Sequence, residues 1–167
     1  RRKDNKVSAQ ISEDRVFRYW DHYLTDGYVQ HIYRYELAGE KLTDLTPGMN
    51  RLFHYTGDVD YDIAPDGREI AVTTLVDGPP YDRLFTDVFA LTTDGSGDMR
   101  NLTEANPGDD GSPLYTRDGK YLLYGRTLRT DMNAENTKLA RLERATGEIS
   151  DLCRNFDRSP SGWTTDE

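Results

Sequence analysis

An internal repeat of about 50 residues constrains this chain more than any other feature. Four segments place an acidic turn ahead of an apolar run. They are Ile11-Ser12-Glu13-Asp14, Ile63-Ala64-Pro65-Asp66-Gly67, Tyr115-Thr116-Arg117-Asp118-Gly119 and Trp163-Thr164-Thr165-Asp166. Their aspartates are spaced by 52, 52 and 48 residues. A second marker runs out of phase with the first: Asp44-Leu45-Thr46, Asn101-Leu102-Thr103 and Asp151-Leu152-Cys153, with leucines 57 and 50 residues apart. Two independent markers of one period argue against coincidence.

Each unit reads as four short strands. In the second, Tyr61 to Ala64 enters the Pro65-Asp66-Gly67 turn, where Gly tolerates positive φ and Asp bonds its own backbone. Arg68 to Leu75 follows, with Ile70 and Val72 alternating with Ala71 and Thr73. Beyond a Gly-Pro-Pro loop, Arg83 to Thr92 reads as a strand of mixed burial, and Asp94-Gly95-Ser96-Gly97 turns the chain into Met99 to Thr103. The third unit repeats this order, and the first contains Val16 to Tyr23, His31 to Leu37 and Leu42 to Thr46. No stretch sustains a 3.6-residue period. The expected fold is therefore all-β: a partial β-propeller of about three four-stranded antiparallel blades, of the TolB/WD40-like repeat type. The blades span about 6–60, 61–112 and 113–160, with the start of a fourth at 161–167. A propeller typically closes with 4–8 blades, so the chain reads as part of a larger protein.

Composition removes several function classes. The net charge of −9 disfavours a nucleic-acid surface. No apolar run approaches the ~20 residues of a membrane helix, and no signal-peptide core follows Arg1-Arg2-Lys3-Asp4. The reading is of a soluble protein compatible with cytoplasm or periplasm. The single cysteine, Cys153, excludes an internal disulfide and a cysteine metal cluster. It stands in the threonine slot of the second marker and reads as a small structural residue. Asp58-Val59-Asp60-Tyr61-Asp62, with Asp66 and Glu69, mimics a calcium loop. However, Ile63 stands where such a loop needs Gly, so these read as acidic strand-edge residues. His22, His31 and His54 are too scattered to form a metal set. No cofactor is expected. Trp20 and Trp163 read as inter-blade packing residues, and Asn101-Leu102-Thr103 is a glycosylation sequon that coincides with the repeat marker.

Several junctions carry a family resemblance. Arg18-Tyr19-Trp20-Asp21-His22-Tyr23, with Asp26-Gly27 and His31-Ile32-Tyr33, resembles the opening blade of S9 (prolyl oligopeptidase family) serine peptidases of the dipeptidyl-aminopeptidase and acylaminoacyl-peptidase branch. Asp44-Leu45-Thr46-Pro47-Gly48 is similar to that family's blade-ending motif. Asn106-Pro107-Gly108-Asp109-Asp110-Gly111-Ser112-Pro113 and Asp157-Arg158-Ser159-Pro160 resemble the following junctions. The resemblance covers nearly the whole chain, and the ordered junctions are more specific than the Asp-Gly turns, which TolB-type propellers share. It implies a propeller that restricts access and helps bind short peptides for a partner C-terminal α/β-hydrolase domain. The chain itself lacks the Gly-x-Ser-x-Gly elbow that a serine nucleophile needs, so no catalytic residue is expected in it.

The segment Arg129-Thr130-Asp131-Met132-Asn133-Ala134-Glu135-Asn136 matches a stretch that in these peptidases is often Gly-Phe-Glu-Ala-Asp-Arg. A carboxylate there suits a substrate's α-ammonium group. The family's Glu falls on Asn133, its Asp on Glu135 and its Arg on Asn136. The resemblance thus makes Glu135 and Asn133 the candidate substrate-binding residues, or else part of a solvated loop. Alternative readings are a TolB-like scaffold for protein interactions and a lyase or sugar-binding propeller.

Overall fold

The computed structural model describes residues 12–16, 18–24, 28–132 and 134–166. Twelve strands and no helix occur among them. Strands β5 (Tyr61–Ile63), β6 (Glu69–Leu75), β7 (Thr86–Thr92) and β8 (Arg100–Asn101) form one antiparallel meander. Strands β9 (Asp110–Tyr115), β10 (Tyr121–Arg126), β11 (Lys138–Glu143) and β12 (Ile149–Asp151) form the next. These are two consecutive propeller blades, with β9 of the later blade packed against β5, β6 and β7 of the earlier one.

The turns that define the repeat are superimposable in their bonding. The Gly67 N–H donates to the Ala64 carbonyl and the Gly119 N–H to the Thr116 carbonyl, both at 2.8 Å. Both glycines have φ of 68°, a left-handed conformation that favours glycine. The Asp66 and Asp118 carboxylates each accept the N–H two residues on, at 3.0 Å.

The second blade is buried on both faces. Ala71 and Val88 pack with Tyr115, Leu122, Tyr124 and Leu142 of the third blade. Ile70, Val72, Phe89 and Leu91 pack with Leu45 and Phe53 from the first unit. The alternation of Ile70 and Val72 with Ala71 and Thr73 therefore distributes side chains between two cores, not between core and water. The same geometry buries β7 from Thr86 to Leu91, where mixed burial was expected.

The first unit differs from the expected four-stranded blade. Its strands β1 (Arg18–Tyr19) and β2 (His22–Tyr23) form one ladder, and β3 (Tyr33–Glu36) and β4 (Lys41–Asp44) form another. These four strands form no common sheet. The physical reason lies in β3 and β4, where Tyr33, Tyr35 and Leu42 are exposed among charged neighbours. Without a buried apolar face, little fixes a wider register. Trp20 also departs from its expected packing role, since it is 82% exposed. Trp163 does pack, its ring lying close over Gly125 of β10.

Candidate functional site

The candidate segment is the loop between β10 and β11, and its root is built by the preceding junction. The Asn106 side-chain amide donates to the Thr127 carbonyl at 2.7 Å. Asp109 and Thr127 exchange two further bonds: the Asp109 N–H donates to the Thr127 hydroxyl at 2.9 Å, and the Thr127 N–H to the Asp109 carbonyl at 2.8 Å. Gly108 is required between them, because a Cβ there would collide with the Thr127 carbonyl. The Asn106-Pro107-Gly108-Asp109 sequence is thus a clasp on the first residue beyond β10.

Glu135 organises the loop from within. Its Oε2 accepts the N–H groups of Leu128 at 2.8 Å and Arg129 at 2.7 Å, closing the neck. At the tip, the Arg129 guanidinium donates to the Asp131 carboxylate at 3.0 Å. That bond raises the arginine pKa and lowers the aspartate's. Leu128 and Met132 are exposed beside it. The far side is tied to the segment after β12. The Asn136 amide donates to the Asp157 carbonyl at 2.6 Å, and the Thr137 N–H to the Ser159 hydroxyl at 3.0 Å. Asn133, the other candidate, lies outside the described residues.

The acidic run before the second turn is spent on the seam between blades. Asp60 accepts the Ser112 N–H at 2.8 Å and Asp62 the Tyr115 N–H at 2.7 Å. The Tyr115 hydroxyl donates to Glu69 at 2.7 Å, and Arg144 donates to the same carboxylate oxygen at 3.1 Å while lying over the Tyr115 ring. Burial, then the bond to Glu69, pushes the Tyr115 hydroxyl pKa upward. These inter-blade partners carry no local sequence signal. Their only clue is a separation of 52 and 53 residues, the repeat period itself. No group of three or more His, Cys, Asp or Glu side chains suited to a metal ion occurs among the described residues. His31 pairs with Asp44 at 2.7 Å and His54 with Thr56 at 2.6 Å, well apart in the chain. Cys153 is a free, half-buried thiol.

Two of the clefts lie at seams between units. One, of about 650 Å3, is lined by Glu69, Arg100, Tyr115, Lys120, Glu143 and Arg144. The other, of about 580 Å3, includes Arg51, Asp87, Asn101 and Asn106. Both mix charges of either sign, which suits a polar or zwitterionic group better than a polyanion. No helix among the described residues is long and apolar enough to cross a membrane.

Comparison with known proteins finds distant relatives. No family model matches the chain. It is 27% identical over 179 residues to a probable dipeptidyl-peptidase 5 of Emericella nidulans, covering 94% of this chain and 25% of that protein. The dipeptidyl-peptidase 5 of Aspergillus oryzae is 26% identical over 188 residues, covering 96% and 26% respectively. That of Porphyromonas endodontalis is 30% identical over 132 residues, covering 72% and 18%. The chain spans about a quarter of the length of the two fungal relatives. Among solved structures, a putative TolB from Agrobacterium tumefaciens aligns with a TM-score of 0.49 and 20% identity, over 73% of this chain and 40% of that one.

Proposed function

We propose that this chain is the non-catalytic propeller portion of an S9-type, dipeptidyl-peptidase-like serine peptidase. In this reading it gates and binds short peptides for an α/β-hydrolase domain encoded outside it. The observation that carries the proposal is similarity to dipeptidyl-peptidase 5 proteins along 94% of the chain but only 25% of the relative. The absence of a Gly-x-Ser-x-Gly elbow from the sequence is consistent with chemistry housed elsewhere. The loop carrying Glu135 and Asn133 is the proposed point of contact with the peptide's amino end. In it Glu135 fixes the neck through Oε2.

The decisive experiment is to sequence the coding region beyond Glu167 and assay the encoded protein on fluorogenic dipeptide substrates. A Gly-x-Ser-x-Gly elbow followed by Asp and His, with serine-dependent hydrolysis, is the expected result. Further blades with no hydrolase would replace this reading with the TolB-like interaction scaffold. The 167-residue chain alone should be inactive. Turnover by the pure chain that a serine-directed inhibitor blocks would overturn the proposal.

A further inference from the structure

The seam between the two complete blades contains a carboxyl group that the peptidase reading does not use. Asp110 opens β9 and is 1% exposed. Its Oδ1 accepts the Asn106 side-chain amide at 3.0 Å. Its Oδ2 is fully buried and has no hydrogen-bond partner among the described residues. The hydroxyls of Thr73 and Tyr124 are buried and unpartnered in the same way. Both belong to this seam. Thr73 of β6 lies against Gly111, adjacent to Asp110, and the Tyr124 hydroxyl of β10 senses the Asp110 charge.

The charges around Asp110 give its ionised form little support. Arg126 stands opposite Asp110 in the β9–β10 ladder. Its guanidinium, however, is committed to Asp151 of β12, at 2.6 and 3.0 Å. From β7, Asp87 adds a second buried carboxylate, held by Asn101 of β8 at 2.6 Å. Two same-sign groups in one desolvated seam disfavour full ionisation. Glu104, after β8, and Asp109, whose Oδ1 accepts the Thr86 N–H at 3.0 Å, add further negative charge near Asp87. The Thr103 hydroxyl, Asn106 and the charge of Arg126 favour the Asp110 anion, against its burial and the Asp87 charge.

We infer that the seam between the second and third blades is a proton-sensitive joint, closed when Asp110 carries a proton on Oδ2 and weakened when that proton leaves. Oδ2 is buried with no donor aimed at it among the described residues, so the ionised carboxylate is the costly form to bury and protonation removes that cost. Burial, followed by the Asp87 charge among the raising effects, pushes the Asp110 pKa up to about 7. The folded state therefore holds this proton between the ordinary carboxylate value and neutrality, where the unfolded chain has released it. Stability from this group is complete below the ordinary value and is lost as pH rises to about 7. His54 acts in the opposite direction below 6.5, because burial lowers its pKa. Asp77, Asp94 and Asp118 have lowered values, so their effect falls below pH 4.

The test is urea unfolding of the full 167-residue chain at pH 5 and pH 8, beside Asp110→Asn. For the wild type, the folding equilibrium constant should fall by a factor of roughly ten to a hundred over this range, His54 offsetting part of the Asp110 effect. In Asp110→Asn, which retains His54 and Asp87, most of that fall should be lost. An equal fall in the variant would overturn the inference. Should Asp110→Asn not fold, carboxyl carbon NMR of the wild type decides. A midpoint near neutrality supports the joint, and one below pH 5 refutes it.

Discussion

Gly108 has no freedom to gain a side chain. Its missing Cβ makes room for the Thr127 carbonyl, which the Asn106 amide also approaches. Gly108→Ala should therefore cost ~1–3 kcal/mol as the clasp is forced open, the usual range for overpacking. A urea midpoint equal to wild type would show that the loop root yields at no cost. Tyr115→Phe tests the other seam contact. It removes a hydroxyl donor while Glu69 retains Arg144 and Arg100. The expected loss is ~1.5–3 kcal/mol for a hydrogen bond to a charged group, and stability unchanged within error would show that Arg144 compensates. At this scale the sequence was partly legible. The acidic run from Asp58 to Glu69 was recognisable as structural because Ile63 spoils a calcium loop. The roles of Asp60 and Asp62 were hidden, because their partners come from another blade. Trp20 misled as well. Its type suggests packing, but it is exposed in the turn between β1 and β2.

Among the elements, the second sequence marker turns out to be a repeated clasp. In the first unit the Asp44 carboxylate accepts the Thr46 N–H at 2.9 Å, and the Thr46 hydroxyl accepts the Ile32 N–H at 2.9 Å. In the second, the Asn101 side-chain Oδ1 accepts the Thr103 N–H at 3.0 Å, and the Thr103 hydroxyl accepts the Val88 N–H at 3.1 Å. The leucine between them donates its N–H to the facing strand in all three units, at 2.8, 2.9 and 2.9 Å. The period was visible because this clasp needs a polar side chain, an apolar one and a hydroxyl in fixed order. Its meaning was not visible, because each receiving strand lies 14 or 15 residues upstream. Thr103→Val should destabilise by ~1–3 kcal/mol, since it leaves the buried Val88 N–H without its acceptor. Cys153→Thr should add ~0.5–1.5 kcal/mol by restoring a hydroxyl in the third clasp. Chemical denaturation of both variants checks the pair, and a loss in Cys153→Thr would mean that the third unit packs differently there. Glu135 belongs to this scale too. Glu135→Ala should speed amide hydrogen exchange at Leu128 and Arg129, whose N–H groups lose their acceptor, while Glu135→Gln should largely preserve protection.

Across the whole molecule, the described units differ in how completely they are packed. The second blade has a core on both faces and is the most completely buried sheet. The third blade has one packed face and, on the other, the ring of Trp163 over Gly125. The four described strands of the first unit share no sheet, and Tyr33 and Tyr35 are about half exposed, with Leu42 61% exposed. The period in the sequence announced stacked sheets, but it could not announce this gradient, because burial depends on what lies across each face. Exposed aromatic residues on short ladders with unpaired edges favour association between copies. The chain should therefore sediment as a concentration-dependent mixture and melt broadly, with the first unit losing amide protection before β6 and β7. Tyr35→Lys, on the exposed face of β3, should reduce association without lowering the stability of the central blade, since Tyr35 belongs to neither of its cores. A monomer at all concentrations, melting sharply with uniform protection from β3 to β12, would show that the first unit is as well held as its neighbours. The exposed tyrosines would then carry no energetic liability.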